Sequence, residues 1–595
     1  MTRLRHGDEG RGLSGEVGPT LARRRLLQLS GAVAAAVPLS GLRAETAALS
    51  AAQGPRVITV DAGEVTGTFN RALFSCTGYA QLTVDSSPMA LDTYRVLNPA
   101  GTQARIEVMM DQASPAPGVF RPDRMLRFVD NTNDAYMTHV ESLGMEPVLL
   151  CAYNTPWLTR TGRLNEAPTD PQAWADIVAQ VVKHFNGEGS GYRPRVRYVE
   201  VWNEPNLEQF WLGSDEEYAE LFRRTADTIH ARFPGVMVGG PVFSPGIDGY
   251  YDYGKAFVDA AGEYMDFFVY HSYGDSPDKI VADMRLWEDY IRTHTGTAEP
   301  MLMVTESESF FASDALKVQD LLLRQFSLVE NGQRMLGWHQ FCLLEYQEGW
   351  YTFGLIYRDG SVFARNYWPY WIFRDAVGST VRVGPRTAMP GEHMVATRDD
   401  DRGTVNLVYW RDPAVATGSQ VTRVQMTLPA DGRDRILTVS TVSGLSGRVV
   451  SARRVSGRAS RLNETLRLDP GTAVSLTLLD AREATTPWLG LDASDGTVPL
   501  GSTFTATARL VNTTPRRLSG ILRLVNLPAG WRSRIVSGTD RFADVDTGEA
   551  VTATWQIQAT SATEAAIAYH VHADLVGTSP THSIPVRIQA VPAAE

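Results

Sequence analysis

Between about residues 70 and 378, short apolar runs alternate with stretches whose apolar positions recur every three to four residues. The run Pro147 to Ala152 reads as a strand. Asp170-Pro171 then opens a helix, with Asp as N-cap and Pro in the first turn. Trp174, Ile177, Val178, Val181, Val182 and Phe185 form its stripe, and Asn186-Gly187 closes it. Val199 and Val201 belong to a short buried strand that ends in Asn203-Glu204-Pro205-Asn206. Ser214 to Glu217 has the spacing of a capping box. The helix behind it carries Tyr218, Leu221, Phe222, Thr225 and Ile229 on one face before Pro234-Gly235 ends it. Val236 to Gly239, Phe267 to Tyr270, Met301 to Val304 and Met335 to Trp338 are further strand runs, with a helix from about Ser313 to Glu330. Strands near Phe74 and Ile106 bring the set to eight. Eight β-α units over about 300 residues predict an α/β fold, a (β/α)8 TIM barrel over residues 69–378. The structural rival is an open doubly wound sheet, which would place a glycine-rich turn after the first strand, and none is seen.

After about residue 380 the helical period gives way to strict alternation. Thr404 to Trp410, Val421 to Leu428 and Ala473 to Leu478 alternate apolar and polar residues between turn signals, which predicts a flanking β-sandwich over 379–483. Arg56 to Val60 has the same character, so a strand within 56–68 is expected to join that sandwich. A second all-β unit is expected over 486–595, with Val551, Ala553, Trp555 and Ile557 on one face and Phe504, Ala506, Ala508 and Leu510 on another. Its Leu527-Pro-Ala-Gly-Trp531 turn resembles the immunoglobulin-like modules appended to many secreted glycosidases.

Composition narrows the class. A chain of 595 residues with 43% hydrophobic and 21% charged residues is long enough for about three packed domains. A net charge of -11, with no basic block beyond the N-terminus, argues against nucleic acid as a partner. Arg23-Arg24-Arg25 precedes an Ala- and Leu-rich run ending near Leu42, then small residues at Ala44, Ala47 and Ala48. That run is short for a membrane span, so residues 1–50 read as an export signal of twin-arginine type and a linker. An uncleaved amphipathic tail is the alternative. No other segment is apolar enough to cross a bilayer as a helix, so a periplasmic or extracellular protein is expected. Cys76, Cys151 and Cys342 each lie in an apolar run and read as buried free thiols. Metal, serine-hydrolase and nucleotide-loop motifs are absent, so no cofactor and no metal are expected.

The chemistry concentrates where strands end. A carboxylate leaving a buried strand beside a cleft has its pKa raised by burial, as a general acid working near neutrality needs. Glu204 is such a group, and Pro205 stiffens the turn that aims it. In a barrel, reacting groups come from the C-terminal ends of different strands, and Val304-Thr305-Glu306 supplies a second carboxylate. Glu308 competes from the same turn, although Thr-Glu directly after the apolar run favours Glu306.

The string Trp202-Asn-Glu-Pro-Asn206 resembles the acid/base strand of the retaining clan A glycoside hydrolases. Glu200-Val-Trp-Asn-Glu-Pro-Asn206, Phe210-Trp211, Glu217-Tyr218, Leu221, Val238-Gly-Gly-Pro241 and the Gly354 to Gly360 loop are similar to glycoside hydrolase family 39, which includes β-xylosidases and α-L-iduronidases. The resemblance covers roughly residues 56–482. It implies Glu204 as acid/base and Glu306 as nucleophile of a double displacement, with the carboxyl groups about 5–5.5 Å apart. It further implies that Tyr273 of Tyr270-His271-Ser272-Tyr273 bonds the nucleophile, that His271 lines the sugar subsite and that Asn203 bonds the sugar 2-hydroxyl. Trp338 is expected either to stack under the sugar or to sit in the core.

Two departures bear on substrate. Where the family has Arg-x-His, this chain reads Arg105-Ile-Glu107, and where Phe-Met-Pro is common it reads Tyr153-Asn154-Thr-Pro156. Arg105, Glu107 and Asn154 are therefore candidate glycone contacts, and Glu107 would repel a uronic acid. The expected partner is an oligosaccharide or polysaccharide, cleaved by a secreted, retaining, exo-acting, β-xylosidase-like enzyme. An endo-acting glycanase on an exopolysaccharide or cell-wall glycan is the second reading, and a non-catalytic carbohydrate-binding wall protein the third.

Overall fold

The computed structural model of the chain describes residues 56–77, 88–125, 133–245, 249–311, 313–345, 353–385, 389–493 and 496–592. The export signal expected over 1–50 lies outside them. Strand β1, Arg56–Thr68, precedes eight parallel strands that close a barrel. These are β2 (Ser75–Thr77), β3 (Gln103–Met109), β4 (Glu146–Ala152), β5 (Tyr198–Val201), β6 (Met237–Phe243), β7 (Phe267–Tyr273), β8 (Leu302–Glu308) and β9 (Gly337–Phe341).

Local chemistry explains the helices between them. Asp170 caps the helix Pro171–Asn186 by accepting from the Ala173 N–H. Gly187 ends that helix at φ 75°, and a Cβ there would come within 2.9 Å of the Gly191 carbonyl oxygen. Ser214 and Glu217 form a reciprocal capping box at the start of the helix Asp215–Arg232. Inside the barrel, Val148, Tyr198, Val242, Phe267, Val269 and Met303 fill one apolar layer. Gly239 makes room for it, because a Cβ there would overlap the Phe267 ring opposite.

β1 does not belong to the barrel. It runs antiparallel to Ser379–Gly384 and parallel to Gln420–Thr427, in the interior of a nine-stranded sheet that spans residues 56–68 and 379–480. The expected sandwich is thus one continuous sheet. Ile58, Val60, Val424, Leu437, Val439 and Leu476, from strands along its whole width, share one buried cluster. Its other face packs on the barrel helices, with Trp410 stacked on Phe326. A separate core built on Leu510, Leu522, Trp531, Trp555 and Tyr569 defines the C-terminal unit, whose strands form two further sheets. That unit docks through Arg509, which donates to the Val449 carbonyl at 2.9 Å, and through Arg587, paired with Asp359 at 3.1 Å. Cys76, Cys151 and Cys342 are buried, and none is joined to another in a disulfide. Among the described residues no helix is long and apolar enough to cross a membrane.

Candidate active site

At the C-terminal end of the barrel, four strands deliver polar and charged side chains to one place. Glu204 follows β5, His271 and Tyr273 end β7, Glu306 lies near the end of β8, and Arg105 stands in β3. The β7–β8 register carries an irregularity: Tyr270 faces Val304, yet His271 faces Glu306. The extra residue, Thr305, turns Glu306 onto the same side as His271. Both carboxylates are nearly enclosed, at 7% exposure for Glu204 and 8% for Glu306.

The hydrogen bonds assign each group a partner. Arg105 is wholly buried and forks three ways: Nε to Glu200 at 2.7 Å, one Nη to Glu306 Oε1 at 2.6 Å, and the other to Asn203 Oδ1 at 3.0 Å. The Tyr273 hydroxyl donates to Glu306 Oε2 at 2.6 Å. His271 Nδ1 lies 2.8 Å from Glu204 Oε1 and 3.8 Å from Glu306 Oε2. One ligand-capable atom from each of Glu204, His271 and Glu306 falls within 4.8 Å of the others. Burial alone would raise the pKa of Glu306, but His271, Arg105 and the Tyr273 hydroxyl together hold it below the usual carboxylate value. Glu200, by contrast, is raised by burial in spite of Arg105. For Arg105 itself the nearby Glu200, Glu306 and Glu107 outweigh burial and push its pKa up.

The loop that carries Glu204 is clamped from three sides. Trp202 and Glu204 take left-handed backbone conformations, at φ 69° and 49°, which non-glycine residues hold only where surrounding contacts insist. The Glu204 N–H donates to the Val242 carbonyl at 2.9 Å. Asn206 and the Ser244 backbone exchange two hydrogen bonds, at 2.8 and 3.0 Å. The Tyr218 hydroxyl lies within hydrogen-bonding distance of the Val201 and Pro241 carbonyls, at 2.8 and 3.1 Å.

Several expected contacts fall elsewhere. Trp338 is 3% exposed and belongs to the core between strands and helices, so it offers no face to a sugar. The Asn154 amide is spent within its own loop, donating to Leu158 and Glu166 carbonyls and accepting from the Thr155 N–H. Arg105 is enclosed by protein partners and acts on Glu306 and Asn203 rather than on a ligand. His271 is fully buried and sits between the two carboxylates instead of lining an open subsite. Glu308 is held by Lys317 at 2.9 Å, by Gln340 at 2.7 Å and by the Ser309 N–H. Glu107 shares the inward face of β3 with Arg105, two residues on. Glu200 is the group that motif reading passed over; a glutamate between Val199 and Val201 on a buried strand requires a cationic partner. The Glu204, His271 and Glu306 donors have a spacing that a cation would accept, but both Glu306 oxygens are taken and the Arg105 guanidinium beside them repels a second positive charge.

An open cleft of about 760 Å3 lies on the outer side of the Glu204 loop, lined by Pro205, Asn206, Glu208, Trp211, Asp252 and Tyr253 among others. It begins one residue past Glu204, and neither Glu204 nor Glu306 lines it.

With this geometry in place, comparison with known proteins is informative. Residues 75–294 match the description "Glycosyl hydrolases family 39". That segment of the barrel is thus similar to family 39 glycosyl hydrolases. Residues 498–576 match the NPCBM-associated NEW3 domain of alpha-galactosidase, so the C-terminal unit is a module found with glycosidases. Within the curated relatives, a beta-xylosidase of Geobacillus stearothermophilus is 30% identical over 137 residues, 22% of this chain and 27% of the relative. A funoran endo-beta-hydrolase of Wenyingzhuangia aestuarii is 27% identical over 202 residues, 31% of this chain and 27% of the relative. The matched segments thus span about a quarter of each curated protein. The solved GH39 enzyme from Xanthomonas axonopodis pv. citri superposes with a TM-score of 0.56 at 19% identity, covering 72% of this chain and 98% of that one, a likeness of fold. The barrel fold is therefore common to both.

Proposed function

We propose that this chain is a secreted, retaining, exo-acting glycoside hydrolase of β-xylosidase type, with Glu306 as nucleophile and Glu204 as acid/base. The observation that carries the reading is the pair of carboxylates whose nearest oxygens approach within 4.8 Å, one of them held ionised by two strong donors. That spacing suits double displacement and leaves no room for the water that an inverting pair requires between its groups. In the first step a Glu306 oxygen attacks the anomeric carbon while Glu204 gives its proton to the departing oxygen. In the second, Glu204 takes a proton from a water whose oxygen bonds the anomeric carbon as the bond to Glu306 breaks, which releases the sugar with its original configuration. Arg105 and Tyr273 keep Glu306 anionic before the attack, and Asn203, oriented by Arg105, is placed for the 2-hydroxyl. Glu107 on the inward face of β3 disfavours a uronic acid glycone. Export rests on the arginines and small residues within 22–48. The funoran hydrolase relative favours endo action on a polymer as the second reading.

The test is a panel of aryl glycosides (xylose, arabinose, glucose, galactose, fucose) with wild type, Glu204→Ala and Glu306→Ala. Each substitution is expected to lower kcat by ~10³-fold or more. Azide should restore turnover to Glu306→Ala with inverted product. Full activity in Glu306→Ala would remove the nucleophile assignment.

A further inference from the structure

The C-terminal module carries a second cluster of chemistry-bearing side chains, far in sequence from the barrel carboxylates. His570 and His572 are two residues apart on the strand Ile567–Leu575, and therefore point to the same face of it. The neighbouring short strand Thr581–His582 is antiparallel, and its register sets His582 directly opposite His572. Tyr569, Val571 and Ala573, on the alternate positions, belong to the module's apolar core, so the three imidazoles share the opposite face.

The cluster is tight. The Nε2 atoms of His570 and His572 lie 2.7 Å apart, and the rings of His572 and His582 are 4.1 Å apart between centroids. One ring nitrogen from each of the three falls within 4.8 Å of the others. His570 is 2% exposed, and its Nδ1 has no hydrogen-bond partner among the described residues. Three imidazoles that bring one ring nitrogen each to a common point, two of them meeting through Nε2, call for a reason beyond packing.

We propose that His570, His572 and His582 form a binding site for a zinc-class divalent cation in the C-terminal module, with water in the fourth position. Imidazole donors suit zinc, copper and nickel, whereas calcium and magnesium demand oxygen ligands. The carboxylate on the same face, Asp574, is committed to Arg523. That pairing neutralises the cation standing across from His572 and leaves the three histidines as donors. Burial, then His572 and His582, hold the His570 pKa down to about 4, and burial lowers His572 as well.

The geometry needs a small adjustment. Bonds of 2.0–2.1 Å in a tetrahedron set nitrogen ligands about 3.3 Å apart, so the His570–His572 pair opens by about 0.6 Å. His572 is half-buried and His582 exposed, so both can rotate toward the metal while buried His570 stays fixed. With the metal on both Nε2 atoms, each neutral ring carries its proton on Nδ1, and neither ring changes its net charge. The cation would add to the two register pairs and the Ser583–Val571 hydrogen bonds that hold Thr581–His582 to its longer neighbour.

The experiment uses the full chain without an affinity tag, stripped with chelator and titrated with zinc against a chromophoric competitor. One equivalent is expected to bind, cobalt(II) in its place should show the visible absorption of a four-coordinate imidazole site, and zinc should raise the thermal midpoint. His582→Gln, on the exposed strand, and His572→Gln should each weaken zinc binding at least tenfold, with circular dichroism confirming that the fold is kept. Glu306→Ala separates this site from the barrel carboxylates and should leave the stoichiometry unchanged. No zinc bound by the wild type, or unaltered affinity in both histidine variants, would overturn the proposal.

Discussion

Tyr273 and Arg105 divide the task of keeping Glu306 charged, and they fail differently when altered. Arg105 is caught between two buried glutamates, so removing its charge would strand Glu200 as well and endanger the fold. Tyr273 offers the cleaner test, because Tyr273→Phe removes one donor and preserves the ring. The sign is definite. The folded-state pKa of Glu306 is depressed, so its contribution to stability is present above the unfolded value and lost as pH falls through the folded one. Under the proposed double displacement Glu306 must be ionised, so activity is lost along the same limb. Losing the Tyr273 bond raises the Glu306 pKa and moves the acid limb of the kcat/KM profile to higher pH. At the optimum the variant should lose about tenfold in kcat, and an unmoved acid limb would show that Tyr273 does not act through ionisation. At this scale the sequence was informative where a motif met a strand end: Glu204, Glu306 and Tyr273 stand where strand counting puts them. It misjudged Arg105, His271 and Asn154 because each can reach either a sugar or a protein neighbour, and only the three-dimensional neighbours decide. Asn154, for example, finds three partners in its own loop.

Among the elements, the β5–β6 junction governs precision. The Glu204 loop holds two left-handed non-glycine residues, and Asn206 bridges it to the end of β6 through Ser244. Asn206→Ala would leave the Ser244 N–H and C=O without these partners, at about 1–3 kcal/mol. The loop would relax and Glu204 would drift, so kcat should fall by tenfold or more while KM changes little. Steady-state kinetics on an aryl glycoside separates the two, and a pure KM effect would count against a positioning role. Helix boundaries were legible because caps are local: Asp170, Ser214 and Glu217 satisfy backbone groups within three residues of themselves. The irregular register of β8 was not. Strict alternation from inward-facing Met303 would send Glu306 toward the helices, and the extra residue at Thr305 that reverses it leaves no mark in the pattern of apolar residues.

For the molecule as a whole, the barrel and the nine-stranded sheet behave as one body, sharing a core that runs from Phe326 to Trp410. The strand β1 is integral to that body. Ile58 is completely buried in it, and Ile58→Ala should destabilise the full chain by about 2–5 kcal/mol in urea unfolding, against a negligible loss if β1 were an ornament. Alternating residues made β1 recognisable as a strand, and its neighbours became visible only in space, since pairing partners so distant in sequence share no local signal.

The placement of β1 also sets an order of events during synthesis. Thr59 meets Gly384, and Val57 meets Arg423, so this strand, once it leaves the ribosome, waits hundreds of residues for both neighbours. All eight barrel strands emerge in that interval. The barrel can close while β1 still trails from it with both edges unpaired, a state prone to pairing with other nascent chains. Long-range closure of this kind is slow, and it makes completion of the sheet, rather than of the barrel, the step that commits the chain to its final form.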